Sequence, residues 1–331
     1  MSIIKLINKW EGYHIMKKLT KNIFLALGLS TATIYSYNRF IENTATKHNL
    51  LGKDNGLFYA WKNGNIFYTK TGNGSPLLLI HDAVASASGA EWKKIIHRLE
   101  KKHTVYCLDL LGCGRSDKPA IEYTNYLYVQ MITSFVKDVI QEKTNIVATH
   151  MSASFAIMAN HMDDSLFKKM ILINPVSLKQ LSIIPDELSK VKKTLIELPF
   201  VGTFIYNRMN SYQQIDKAFR NNYYSKSQFV SSNIEDVYYE AAHTGGGNGK
   251  YLYSSTLGNY LNNNINHAVK DITIPTLIIG SKEIKNNELI LDDYHRVNDA
   301  LDINRITHGN LYPHMELPEK IATTIENYLS K

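Results

Sequence analysis

Leu108-Asp109-Leu110-Leu111-Gly112-Cys113-Gly114-Arg115-Ser116-Asp117-Lys118-Pro119 decides how the rest of the chain is read. It begins at the end of the apolar run Thr104-Val105-Tyr106-Cys107-Leu108, a strand by its β-branched and aromatic content. Glycines and polar residues then mark a tight loop at the strand's C-terminal end. Asp109 stands where a carboxylate holds the turn that follows.

On either side of this stretch, short apolar runs alternate with helical pieces. Ile66–Thr69 and Pro76–Ile80 read as strands separated by the turn Gly72-Asn73-Gly74. Asn145–Thr149, Met170–Ile173 and Thr276–Ile279 continue the series, with helices predicted over Glu91–Leu99, Tyr126–Gln141 and Phe155–His161. Strands that are apolar throughout, and are separated by helices, predict a mostly parallel sheet covered on both faces, hence an α/β fold. Residues 177–268 hold amphipathic pieces such as Asp186–Leu198 and Asn233–Ala242 and many Tyr and Asn. An insertion of this length before a returning strand predicts a helical cap over the sheet's edge, where α/β folds keep their sites.

The chain has 331 residues, 44% hydrophobic and 20% charged, which excludes collagen-like, low-complexity and wholly disordered proteins. Lys and Arg exceed Asp and Glu by 37 to 30 without an Arg-rich stripe, so no nucleic-acid partner is expected. Cys107 and Cys113 provide no disulfide framework and read as reduced thiols. The histidines are scattered, and Gly245-Gly246-Gly247 lacks the strand and lysine of a phosphate loop. No metal and no cofactor are expected.

The first 43 residues read as a cytoplasmic leader and membrane anchor. The 17 residues Asn22–Asn38 are uncharged, and as a helix they would be about 26 Å long, the lower limit for a bilayer core. Lys5, Lys9, Lys17, Lys18 and Lys21 precede them, so a single pass would leave the N-terminus cytoplasmic and the main domain outside. A cleaved signal peptide, giving a secreted protein, and a helix lying on the membrane surface are the alternatives. Residues 44–56 read as a polar tether and 57–331 as the folded domain.

Three pieces of this domain resemble the α/β-hydrolase superfamily. Leu78-Leu79-Ile80-His81-Asp82 with Glu91-Trp92 is similar to the strand and oxyanion loop of that family. Leu108–Pro119 is similar to its strand and loop along the whole stretch, and Leu311-Tyr312-Pro313-His314-Met315-Glu316-Leu317-Pro318-Glu319 to its closing histidine segment. The resemblance implies a nucleophile on a sharp strand-to-helix turn, a histidine base, an orienting acid and two backbone N–H groups for the oxyanion.

Carried over residue by residue, the resemblance places Ser152 at the nucleophile turn of His150-Met151-Ser152-Ala153-Ser154, with Met151 as the alternative register. Glu283, in Gly280-Ser281-Lys282-Glu283, falls at the acid position. Leu311 falls at the catalytic histidine, which leaves His308, His314 or His150 as substitutes, with His308 taken first. The oxyanion donors would be the N–H groups of Ala83 and Ala153, and Asp82 replaces the family's glycine. Two readings stay open. One is a membrane-anchored serine hydrolase of carboxylic esters or amides with a non-standard triad. The other is an inactive member that binds a small-molecule ligand or a protein partner through its cap.

Overall fold

The computed structural model describes residues 31–53 and 55–331. Eight strands form one sheet: β1 (Leu57–Trp61), β2 (Gly64–Thr71), β3 (Ser75–Ile80), β4 (His103–Leu108), β5 (Thr144–Thr149), β6 (Phe167–Ile173), β7 (Thr276–Ser281) and β8 (Asp302–Ile306). Their order is β1-β2-β4-β3-β5-β6-β7-β8. β1 and β2 run antiparallel to their neighbours, whereas β4-β3-β5-β6-β7-β8 is parallel throughout. The mostly parallel sheet read from the sequence is therefore present.

Successive residues of the central strands serve opposite faces. Leu78, Ile80, Ile146, Ala148, Met170, Leu172 and Ile278 pack into one core with α3 (Asn125–Phe135), α4 (Met151–Met162) and α12 (Asn287–Val297). Leu77, Leu79, Val147, Ile171, Ile173 and Ile279 join the other, with α2 (Lys93–Leu99) and α14 (Pro318–Leu329). Burial on both faces is why these strands lack a polar alternation.

Between β6 and β7 the chain is helical. The insertion contains α5 (Leu178–Leu181), α6 (Glu187–Glu197), α7 (Val201–Met209), α8 (Tyr212–Ala218), α9 (Ser232–His243), α10 (Lys250–Leu257) and α11 (Asn266–Lys270). A third core, built from Ile215, Phe219, Tyr224, Tyr238, Tyr312 and Met315, ties α8 and α9 to the segment after β8.

Residues 22–30 of the expected anchor lie outside the described residues. Its remainder, 31–38, belongs to a helix over 31–45, here α1. This helix lies against the cap: Asn38 donates to the Phe200 carbonyl at 3.0 Å and accepts from Asn207 at 3.0 Å, and Tyr37 meets Phe204. The stretch read as a polar tether is held too. The Leu50 and Leu51 N–H groups donate to Glu240 at 2.8 and 2.9 Å, and the Leu51 carbonyl accepts from Arg115 at 3.3 Å. Among the described residues no helix is long and apolar enough to cross a membrane.

Candidate functional site

The turn between β5 and α4 occupies a single residue. His150 has φ 47° and ψ −111°, and Met151 is already helical. A left-handed φ in a side chain with a Cβ is strained, and this sharp strand-to-helix turn is the geometry that presents a nucleophile at the C-terminal edge of a parallel sheet. The position thus belongs to His150. The register read from sequence was too late, because it began α4 at Phe155 rather than Met151.

Ser152 and Met151 are corrected accordingly. Ser152 lies fully buried in the first turn of α4, where its hydroxyl donates to the His81 carbonyl at 2.6 Å. Met151, also buried, supplies its N–H to the site rather than a reacting group. The second oxyanion donor also moves back. Ala153 N–H bonds to the His150 carbonyl at 3.2 Å, inside the helix, and the N–H after the turn residue is that of Met151.

The two N–H groups that would hold an oxyanion are already taken. Asp82 Oδ1 accepts from Ala83 N–H at 2.8 Å and from Met151 N–H at 3.1 Å. Its other oxygen, Oδ2, accepts from the Tyr312 hydroxyl at 2.7 Å and faces His150 Nδ1 at 3.2 Å. A permanent carboxylate therefore sits where the family develops a transient negative charge.

Burial by itself would raise the Asp82 carboxyl. The charge and hydrogen bond of His150, the Tyr312 hydroxyl and the Met151 N–H outweigh it and hold the group below the ordinary carboxylate range. Burial likewise disfavours a charged His150, yet the adjacent Asp82 carboxylate lifts its pKa above the usual imidazole value. Burial holds the Tyr312 phenol well above its normal range, so it remains a donor.

Beneath this group lies a second buried layer. Glu91 Oε1 accepts from the Thr149 hydroxyl at 2.7 Å and pairs with His314 Nε2 at 2.9 Å, with both side chains fully covered. The His314 ring stacks on Trp92 at 4.3 Å. His314 thus supports the oxyanion loop and has no path to a substrate proton. His81 ties the same loop to the segment that opened the sequence reading: its Nε2 accepts from Leu110 N–H at 3.0 Å and its Nδ1–H donates to the Asp82 carbonyl at 2.7 Å.

Glu283 and His308 do face each other, at 3.6 Å, but 45% and 71% of their side-chain surfaces are exposed. Neither bonds to Ser152 or His150, whose polar partners are the His81 carbonyl and Asp82. Leu311 packs half-buried beside the aromatic third core. Sequence reasoning missed Tyr312 and the Asp82–His150 pair. The substitution of Asp82 for the family's glycine was the visible sign of the latter.

A cavity of about 260 Å³ opens beside the oxyanion loop, between Val84 on the body and Met209, Ile215, Tyr223, Tyr253 and Leu257 on the cap. Tyr223 forms the link to the polar group, its ring 4.7 Å from that of Tyr312.

The alpha/beta hydrolase fold family profile matches residues 76–294. This chain belongs to that family. A curated relative, the 2-hydroxy-6-oxo-6-(2'-aminophenyl)hexa-2,4-dienoic acid hydrolase of Metapseudomonas resinovorans, is 29% identical over 113 residues, 34% of this chain and 39% of the relative. The match thus spans about two fifths of that enzyme. Among solved structures, a serine hydrolase involved in carbazole degradation superposes with a TM-score of 0.67 at 19% identity, covering 83% of this chain and 98% of that one. The enol-lactonase of Burkholderia xenovorans LB400 does so with 0.66 at 13% identity, over 83% and 100%. Within this family of α/β-hydrolase-fold proteins, the present member has His150 at the strand-to-helix turn after β5 and an aspartate, Asp82, bonded to the N–H groups of Ala83 and Met151.

Proposed function

We propose that this α/β-hydrolase-fold protein binds a small, largely apolar molecule between cap and sheet without forming a covalent intermediate. One observation carries the reading: both oxyanion donors, Ala83 and Met151 N–H, are bonded to Asp82 Oδ1. A substrate carbonyl entering there would have to displace a buried anion held by four partners, and no serine stands at the turn to attack it. The cavity walls are mainly aliphatic and tyrosyl, which suits an apolar or aromatic ligand with one or two acceptors.

The test pairs two measurements on the full chain. A fluorophosphonate probe is expected to leave the wild type unlabelled and to label the triple variant Asp82→Gly, His150→Ser, Leu311→His. 8-Anilino-1-naphthalenesulfonate is expected to bind the wild type saturably and to bind Met209→Trp, which narrows the cavity, at least about tenfold more weakly. Labelling of the wild type, or unchanged dye binding in Met209→Trp, would overturn the reading.

The Asp82–His150 pair and the hydrolase relatives favour a second reading, hydrolysis of a carboxylic ester or amide with His150 drawing a proton from water. It requires p-nitrophenyl acetate turnover that is lost in His150→Gln and Asp82→Asn and unaffected by Ser152→Ala.

A further inference from the structure

The cap exposes an apolar ridge. Leu188, Val191 and Leu195 follow an i, i+3, i+7 spacing and form one outward stripe on α6, whose opposite side buries Ser189 and Ile196. The loop before the helix exposes Ile183 and Ile184, the latter 79% exposed, and the turn after it exposes Leu198, Phe200 and Val201. Eight exposed large apolar residues within 183–201 exceed the scattered singles of an ordinary surface. Lys192 and Lys190, both exposed, lie on the same helix, the latter paired with Glu187 at 2.6 Å.

Two observations bear on what the ridge would meet. The chain enters its described part at Thr31, and α1 then meets the ridge directly, with Tyr35 packed edge-on against Phe200 at 6.1 Å. The 30 residues preceding Thr31 carry Lys5, Lys9, Lys17, Lys18 and Lys21 and the apolar run Ile23–Leu29. Exposed apolar side chains with Lys192 among them, joined in sequence to a lysine-rich segment with its own apolar run, are complementary to an anionic bilayer: acyl chains for the ridge, headgroups for the cations. We infer that the outer face of α6 and its flanking loops dock on an anionic lipid surface. α6 packs on α7 and α10, whose Met209 and Leu257 line the ligand cavity and are themselves exposed. Docking would therefore bring the cavity's rim close to the lipid.

The experiment is flotation of the full chain with vesicles of phosphatidylcholine alone and with one quarter phosphatidylglycerol. Binding is expected to the anionic vesicles, and Leu188→Ser, Val191→Ser, Leu195→Ser combined is expected to weaken it about tenfold or more. Val191→Trp reports the ridge separately from the N-terminal segment: its emission should shift to the blue on anionic vesicles. No vesicle binding, undiminished binding of the triple variant, an unshifted tryptophan, or a ridge buried instead in a dimer by sedimentation velocity would overturn the inference.

Discussion

Two fully buried aspartates at the ends of neighbouring strands have opposite fates. Asp109, after β4, is closed by its own loop: Arg115 reaches it with Nε at 2.7 Å, with Nη2 at 3.0 Å and with its backbone N–H at 2.8 Å, while Gly89 N–H adds a bond of 2.6 Å. Burial would raise its carboxyl, and the Arg115 bonds and charge hold it down. Asp82, after β3, is closed by Ala83, Met151, His150 and Tyr312, from three separate stretches of chain. The same side chain braces a loop in one place and fills a reaction site in the other. What differs is that Arg115 of its own loop supplies most of the bonds to Asp109, whereas those to Asp82 come from residues 83, 150–151 and 312.

The sharpest way to break this contrast is to remove each carboxylate. Asp109→Ala removes the carboxylate that Arg115 Nε and Nη2 and the Arg115 and Gly89 N–H groups all meet, and should lower unfolding free energy by about 3–5 kcal/mol in urea titrations. A loss below about 1 kcal/mol would mean the loop is braced by something else. Asp82→Ala should lose less, about 1–3 kcal/mol, because its charged partner His150 is 31% exposed and can be solvated where it stands. A larger loss than for Asp109→Ala would invert the comparison.

The Asp82–His150 pair should also set a pH window. The raised pKa of His150 stabilises the fold fully below the unfolded value near 6.5 and loses that contribution as pH climbs through the folded value. The depressed pKa of Asp82 contributes above about 4 and is lost as pH falls through its folded value. The stability gap between wild type and His150→Gln should therefore be widest between about pH 4 and 6.5 and shrink by pH 9. A gap that grows with pH would show that His150 is held neutral.

Smaller effects test the residues that the sequence favoured. Ser152→Ala removes one buried hydroxyl bond and should cost about 1 kcal/mol, leaving ligand binding unchanged. His308→Ala breaks an exposed pair and should fall within about 0.5 kcal/mol of wild type. An effect of His308→Ala on ligand binding would reconnect it to the site.

The sheet was legible because burial on both faces writes unbroken apolar runs: Pro76–Ile80, Thr104–Leu108, Asn145–Thr149 and Thr276–Ile279 lie within β3, β4, β5 and β7. The edge strands were not. β1 and β8 are largely exposed, and Asp302-Ile303-Asn304-Arg305-Ile306 has no pattern that separates it from a loop. At the site the decisive quantity was one backbone angle. Glycine ordinarily announces a left-handed φ, but here histidine adopts it, so nothing in His-Met-Ser-Ala-Ser marked the turn. Leu311 falls at the base position by the resemblance of its segment alone, whose register Pro313 and His314 set. Tyr312, one residue on, drew no notice because its role depends on Asp82, 230 residues away.

The segment over 31–53 has a mechanical meaning. It grips the cap at Phe200, Asn207 and Glu240 and, through the Leu51 carbonyl, the arginine that braces the Asp109 loop. Cap and body are thus joined by a strap as well as by the two chain crossings that flank the insertion. Tension applied at Thr31 would be borne by α1 and handed to α7 and α9 before it reached the sheet. Cutting the chain between Lys53 and Leu57 would part the strap from the sheet's first strand and leave it on the cap by these bonds.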